Sequence, residues 1–303
     1  MEPAPFQDLA DYVRVSVVTD DFIRTNNIGL NQSLQFEPRR QWGDDTGWKK
    51  VVSALSTVSI IQINRKTRES GRISWNPFDF DLPDSSLVSI TANNRHTLFW
   101  NRTHPVWGLQ FGTGDNRSRI VQTTGYESRR LTDYSGLVRW NFNPDWSING
   151  QYKWGIKSSD SEFFNTRDYE LRFTEMQPEL TYLPSRKWRA IFRYTRREDR
   201  NTLPGSVEKA LQNNLSLEAT YRPQQAAYSV RFSYVEVDFK GQAGSPVGFA
   251  ILNGLQPGRN LLWNLNLNRQ LSANLQLSLS YEGRKTGEAR VVHVGRAQVT
   301  AIF

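Results

Sequence analysis

The stretch Leu275-Gln276-Leu277-Ser278-Leu279-Ser280-Tyr281-Glu282 decides the fold. Its odd-numbered residues are apolar or aromatic, and its even-numbered residues are polar. Successive side chains of a strand point to opposite faces of a sheet, so this period of two predicts a β-strand with one apolar and one polar face. The same alternation recurs in residues 136–142, 148–156, 188–195, 215–221 and 263–268.

The alternation, followed over the whole chain, predicts about fourteen strands and neither a βαβ rhythm nor a heptad or fixed repeat. The predicted spans are 11–19, 27–37, 51–66, 86–101, 105–114, 131–142, 146–157, 167–183, 187–197, 212–222, 226–239, 259–269, 273–284 and 289–303. We therefore interpret residues 1–10 as an N-terminal extension and residues 11–303 as one all-β domain.

One predicted strand, 167–183, changes its pattern along its length. Its apolar side chains stand at odd positions such as Leu171 near the start and at even positions such as Tyr182 near the end. Pro178 lies near the change, and proline in a strand is tolerated at edges and bulges. We therefore predict a β-bulge at this point.

The composition excludes several classes of protein. None of the 303 residues is a cysteine, which removes disulfides and thiolate metal sites, and no apolar run reaches the ~18–20 residues of a membrane helix. The net charge of +8 is spread without a long basic run, so we expect no nucleic-acid partner. Met1–Pro5 lacks the basic start and apolar core of a signal peptide, so an exported protein would carry this sequence in mature form or as a fragment.

The predicted connections fall into a short set and a long set that alternate along the chain. The short set is 102–105, 143–145, 184–186, 222–225 and 270–272, and four of these five turns contain proline. The long, polar set is 67–85, 115–130, 158–166, 198–211 and 240–258, while 38–50 is a long connection on the short side. Short turns at one end and long loops at the other are typical of an outer-membrane β-barrel.

Aromatic residues flank the short turns on both sides. Rings with polar tips favour the membrane–water boundary, where transmembrane barrels carry aromatic girdles. The alternative is that aromatic residues cluster at the strand ends of a soluble sandwich. The predicted girdle consists of Trp100, Trp107, Trp140, Trp146, Tyr182, Trp188, Tyr221 and Tyr228.

The last predicted strand, residues 289–303, carries a resemblance. It ends on Phe303, with apolar Val299 and Ala301 at alternate positions and Gly295 upstream. In these features it resembles the C-terminal signal strand of Gram-negative outer-membrane β-barrels, and the segment Gly254–Asn260 with its Leu-rich neighbours is similar to surface proteins of the Bacteroidota type. The resemblance implies an outer-membrane location, lipid contact and recognition of Phe303 by the barrel-assembly machinery.

The polar faces of the predicted strands collect basic side chains. In a barrel they would line the lumen, either as a basic pore that favours a small anionic solute or as Arg–Glu pairs that hold the wall rigid. Glu170, Glu218 and Glu282 are the acidic candidates. The predicted basic lining consists of Arg139, Lys153, Arg172, Arg189, Arg193, Arg231 and Arg296.

The remaining candidate sites are few. None of His96, His104 and His293 falls in a long predicted loop, so we expect no enzyme, and no motif predicts a cofactor or a metal. The cluster Trp75–Phe80 is interpreted either as a loop that binds a sugar or a partner, as an inward-folded constriction, or as a loop anchored by its own aromatic rings.

We therefore expect a single transmembrane, antiparallel, up-and-down β-barrel of about fourteen strands, with short periplasmic turns and long extracellular loops. Its expected role is that of a porin-like passive channel, or of the membrane barrel of a larger surface or transport protein. One alternative is a non-conducting anchor or assembly partner with an occluded lumen. The other is a soluble all-β protein that binds carbohydrate or a partner.

Overall fold

The computed structural model describes residues 24–43, 46–69, 71, 75–80, 82–122 and 125–301. These residues form one all-β sheet, and every strand is hydrogen-bonded to its neighbours in chain order. The first predicted strand, 11–19, and the terminal Phe303 lie outside the described residues.

Thirteen antiparallel strands make up the sheet. They are β1 (Thr25–Phe36), β2 (Leu55–Arg68), β3 (Leu87–Trp100), β4 (Trp107–Gln122), β5 (Gly125–Asn141), β6 (Trp146–Ser161), β7 (Tyr169–Ser185), β8 (Trp188–Asn201), β9 (Lys209–Tyr221), β10 (Ala226–Lys240), β11 (Gly258–Ser272), β12 (Leu275–Thr286) and β13 (Val292–Ala301). Each matches a predicted strand in order. Within the described residues β1 and β13 are not paired with each other, so the sheet is not closed there.

Three short α-helices lie between the described strands, and a short 3-10 helix spans Asn165–Arg167. Helix α1 (Arg39–Trp42) and helix α2 (Trp48–Ser53) form the connection between β1 and β2, so the predicted strand 51–66 begins later than expected. Helix α3 (Pro246–Leu252) lies between β10 and β11. The hydroxyl of Ser245 accepts a hydrogen bond from the Gly248 N–H and so caps its first turn. No helix among the described residues is long and apolar enough to cross a membrane.

The connections define two ends of the sheet. At the turn end, strands are joined by residues 101–106, 142–145, 186–187, 222–225 and 273–274. The predicted turns at 102–105, 143–145 and 222–225 are confirmed, whereas residues 184–185 belong to β7 and residues 270–272 to β11. At the loop end, the prediction of a long loop at 115–130 is wrong. There β4 and β5 continue as a regular ladder from Trp107↔Trp140 to Gln122↔Gly125, and only two residues separate them. Polar residues that read as loop are instead the outer parts of long strands.

The predicted bulge at Pro178 is also wrong. Strand β7 pairs with β6 in one unbroken register from Trp146↔Tyr182 to Ser159↔Tyr169. The apolar parity changes because Leu171 and Phe173 are buried on the otherwise polar face of β7, where they are 1% and 3% exposed. Burial of these two side chains, rather than a β-bulge, therefore explains the pattern.

Candidate functional site

The sheet has two faces with different chemistry. We call the face that carries Trp146, Tyr182 and Trp188 the aromatic face. We call the opposite face, which carries Lys153, Glu175 and Arg197, the ion-pair face. The register of the ladder fixes the face of every residue, since side chains alternate along each strand and opposed residues share a face.

The ion-pair face carries a chain of charge pairs across neighbouring strands. Arg197 is the centre: its guanidinium contacts Glu175 at 3.0 Å and Asp199 at 2.8 Å, and it lies 4.4 Å over the ring of Phe173. Lys153 approaches Asp133 at 3.4 Å. Since Asp199 is only 2% exposed, this carboxylate depends on Arg197 for compensation of its charge.

Three of the seven predicted basic residues are paired on this face. Lys153 contacts Asp133, Arg193 contacts Glu179 at 2.5 Å, and Arg231 contacts Glu218 at 2.7 Å. The alternative in which basic and acidic side chains hold the wall rigid therefore describes these three better than a free basic lining.

The other predicted basic residues differ among themselves. The Arg139 guanidinium donates hydrogen bonds to the Arg102 and His104 carbonyls, at 3.2 Å and 2.8 Å, and so holds the turn between β3 and β4. Arg189 and Arg296 lie on the ion-pair face and form no ion pair with another described residue. The prediction is wrong for Arg172. It is opposed to Ile156 and therefore lies on the aromatic face, as does Glu170, because β7 keeps its register.

Sequence reasoning missed Arg197, Glu175, Asp133 and Asp199, which form the centre of the pairing. The sequence does contain a pattern that indicates this pairing, because Glu175 and Arg197 share the parity of Glu179 and Arg193 on their strands. The bulge predicted in β7 would have moved Glu175 to the other face, so the pattern was not recognised.

All eight residues of the predicted girdle lie on the aromatic face at the turn end. Several of their rings touch: Trp146 and Tyr182 stack at 4.2 Å between ring centroids, and Trp188 and Tyr221 stack at 4.3 Å. Trp100 and Trp107 meet edge to face at 5.8 Å. The rings thus form a band along the turn end of the described strands.

The aromatic face changes character toward the loop end. On β8, the series Trp188, Ala190, Phe192 and Tyr194 is followed by Arg196, Glu198 and Arg200. On β10, the series Tyr228, Val230, Phe232 and Tyr234 is followed by Glu236, Asp238 and Lys240. An apolar belt with exposed large side chains therefore begins at the turn end and gives way to charge before the strands end.

Helix α3 covers the ion-pair face at the loop end. Its Val247 and Ile251 are buried in a cluster with Leu171 of β7 and Ala210 of β9. The Lys157 ammonium donates to the Ala250 carbonyl at 3.3 Å, and the Gln212 side chain donates to the Ile251 carbonyl at 3.0 Å. The β10–β11 connection is thus fixed across β6, β7 and β9 rather than extended away from the sheet.

The Trp75–Phe80 cluster lies on the aromatic face, opposite to the face that α3 covers. In a barrel whose ion-pair face lines the lumen, it would not form an inward constriction. The Arg65 guanidinium is 1% exposed on the aromatic face of β2 and donates to the carbonyls of Asn76 and Asp79, both at 2.9 Å. Phe80 packs against the buried cluster of Leu82, Leu87 and Ile90, while Trp75 is 83% exposed. The loop is anchored in part by its own aromatic ring.

No cluster of three or more metal-ligating side chains occurs within the described part of the chain. The three histidines are apart: His96 lies on β3, His104 in a turn, and His293 on β13, where its Nδ1 lies 2.8 Å from the Tyr281 hydroxyl.

Comparison with known proteins finds no matching family model and no matching curated protein. Among solved structures, the beta domain of the Bordetella autotransporter BrkA is 9% identical, with 92% of this chain and 98% of that chain covered and a TM-score of 0.33. The translocator domain of the autotransporter NalP from Neisseria meningitidis is 13% identical, with 86% and 90% covered and a TM-score of 0.32. CdiB from Acinetobacter baumannii is 9% identical, with 92% and 54% covered and a TM-score of 0.46. Similarities of this size assign no function.

Proposed function

We propose that this chain is an outer-membrane β-barrel of a Gram-negative bacterium, with its aromatic face toward lipid and its ion-pair face toward a lumen. One observation carries the proposal, namely the apolar belt that starts at an aromatic band and ends in charged residues. A soluble sandwich would bury such a face, whereas here Phe111, Trp140 and Leu217 are each at least half exposed. A polar interior replaces the apolar core of a soluble protein.

The dimensions of the belt support the membrane assignment. On β6 the aromatic face is apolar or small from Trp146 to Ile156, and Ser158 and Asp160 follow. Ten residue steps of about 3.3 Å, tilted by about 35–45°, span roughly 23–27 Å, which is close to the apolar band of outer-membrane barrels. The longer strands therefore project beyond the membrane at the loop end.

Closure of the barrel is part of the proposal. Twelve antiparallel pairings separate β1 from β13, so the two edge strands run in the same direction. One additional strand between them would be antiparallel to both, and lipid does not tolerate open edges. We therefore propose a fourteenth strand at this place, the number that the alternation predicts.

Engineered cysteines test the closure cleanly because the chain has no cysteine of its own. A strand between β1 and β13 would hold them about 9.5 Å apart, two inter-strand spacings, which is too far for a disulfide. Leu30→Cys in β1 with Gly295→Cys in β13 is therefore expected to form no intramolecular disulfide. A disulfide within one chain would contradict the fourteen-stranded arrangement.

The lumen in this proposal is narrow rather than wide. Helix α3 occupies part of the loop end, and ion pairs use many of the basic side chains that a free anion pathway would offer. We therefore propose a porin-like passive channel of low conductance, with a non-conducting anchor as the alternative. The proposed role requires no catalytic group.

Two measurements, made one after the other, test the proposed function. The purified chain should need detergent to remain monodisperse and should fold into liposomes with heat-modifiable gel mobility. A monodisperse detergent-free preparation would contradict the membrane assignment. Single-channel recording in planar bilayers should then show small steps that grow when residues 243–255 are replaced by a short Gly/Ser linker. No steps in either protein would favour the anchor.

A further inference from the structure

The connection between β1 and β2 is the long one at the turn end. It contains α1 and α2 and lies beside the turn 101–106 between β3 and β4. A groove of about 770 Å³ separates the two segments. Arg39 at the start of α1 donates to the Thr103 hydroxyl and so joins them across the groove.

One wall of this groove is cationic. Arg39, Arg40, Lys50 and Arg102 line it, and Glu37 is the acidic residue among its described lining residues. Glu37 Oε2 lies 2.9 Å from Arg40, and its Oε1 lies 3.5 Å from Arg102. Asp44 and Asp45, between the helices, lie outside the described residues. Among the described residues, the groove therefore has four basic side chains and one carboxylate, and two of the basic side chains contact that carboxylate.

The charge state of Glu37 is secured by its neighbours. The hydrogen bond from Gln35, followed by the guanidiniums of Arg40 and Arg102, lowers the pKa of Glu37 against the opposing effect of desolvation. Glu37 thus stays ionised and holds Arg40 and Arg102 in place.

Apolar side chains form another part of the lining, here called the apolar wall, and continue the aromatic face. Leu55 of β2 lines the groove together with Trp100 and Trp107, two members of the aromatic band. Val51 of α2 lines it as well and is 61% exposed. An apolar chain that follows this wall would pass directly onto the belt that we assign to lipid.

From this juxtaposition we propose that the groove binds one anionic phospholipid of the periplasmic leaflet. Its phosphate lies among Arg39, Arg40 and Arg102, and an acyl chain runs along Trp100 and Trp107. Guanidinium groups match the oxygens of a phosphate, and the strands place both walls at the depth where a headgroup meets its chains. The inference rests on the proposed membrane location.

The test uses the full-length chain in detergent with phosphatidylglycerol as the probe, and native mass spectrometry as the readout. The double variant Arg39→Gln/Arg40→Gln is compared with Arg186→Gln/Arg222→Gln, which removes the same charge from two other turn-end connections. We expect the first variant to weaken binding by about tenfold or more, because one lost charge-assisted hydrogen bond corresponds to about tenfold in affinity. The second variant should weaken binding by less than about twofold.

Further arms identify the ligand class. Val51→Asn should weaken binding of phosphatidylglycerol but leave binding of inorganic phosphate unchanged, because it alters only the apolar wall. Phosphatidylcholine and inorganic phosphate should bind less tightly than phosphatidylglycerol to the native chain. Equal binding of inorganic phosphate would overturn the proposal in favour of a simple anion site.

Folding is read separately for every variant by heat-modifiable mobility in liposomes. If the chain does not insert, the proposed function fails. If it inserts and Arg39→Gln/Arg40→Gln binds phosphatidylglycerol as tightly as the native chain, only the lipid site is refuted.

Discussion

Two regions at the loop end of the sheet bury apolar side chains on opposite faces. On β7 the buried Leu171 lies on the ion-pair face, beneath α3, which we call the inner cover. On β3 the buried Ile90 lies on the aromatic face, beneath the segment that contains Phe80 and Leu82, which we call the outer cover. The strands are similar in length and alternation, so the connection that folds back decides which face is buried. Strand periodicity predicts the two faces, but not which one is covered at the loop end.

The largest expected effect is at the inner cover. Leu171→Ala removes a side chain that is 1% exposed, which should lower the free energy of unfolding by about 2–5 kcal/mol. Leu217→Ala is the matched control, because the Leu217 side chain on β9 is 50% exposed. It should lower the free energy of unfolding clearly less, since lipid or detergent fills the space. Denaturant unfolding in detergent measures both. Equal costs would show that α3 does not pack against β7.

The next effect concerns β12, where neither cover is present. Leu279 lies on the aromatic face opposite Leu267 and Ala297. Leu279→Arg should destabilise the barrel by about 2–4 kcal/mol if it lies near mid-bilayer. Ser278→Arg, one residue away on the ion-pair face, should be tolerated. Folding into liposomes at several urea concentrations compares them, and similar losses would contradict the assignment of the faces.

A smaller effect is expected where a charge pair is broken without loss of packing. Glu179 is 15% and Arg193 33% exposed, so solvent screens the pair in part. Glu179→Gln should cost about 1 kcal/mol. It should also shift the reversal potential in a salt gradient toward anions, since Arg193 becomes free.

Glu282→Gln is the control for this pair. It removes the same charge from the ion-pair face, where Glu282 is opposed to Asn264 and Val294 and forms no ion pair with another described residue. It should shift selectivity with little change in stability. Unfolding that is equally affected in both variants would mean that the Glu179–Arg193 contact contributes nothing specific.

The sequence predicts the strands well because alternation is a local property. The thirteen described strands appear in the predicted order, and the aromatic band lies on one face as the parity of Trp188 and Tyr221 requires. Two errors have one cause. The alternation predicts a loop for the polar residues of β4 and β5 and a bulge near Leu171. Both are wrong because the side-chain chemistry of a strand changes toward the loop end.

The position of α3 and the groove beside the turn 101–106 could not be predicted by the same reasoning. Helix α3 has only seven residues, and its position depends on Lys157 and Gln212, which are far away in sequence. The groove likewise joins Arg39 to Thr103 across 64 positions. Such contacts follow from the strand order and register, which periodicity alone does not specify.

The smallest effect separates the two covers. Asp84 contacts Arg119 at 2.8 Å, with the side chains 37% and 29% exposed, and fastens the outer cover to β4. Such an exposed pair contributes about 0–1 kcal/mol, so Asp84→Asn should leave global unfolding nearly unchanged. Hydrogen exchange in residues 75–86 should nevertheless become faster, while exchange in α3 stays the same.

Lys157→Met should accelerate exchange in α3 and leave residues 75–86 unchanged, because it releases the carbonyl of Ala250. High salt should reproduce the effect of Asp84→Asn more than that of Lys157→Met, since exposed pairs are screened more strongly than partly buried ones. If either variant accelerates exchange in both covers, the two regions are coupled through the sheet and are not independent closures of its opposite faces.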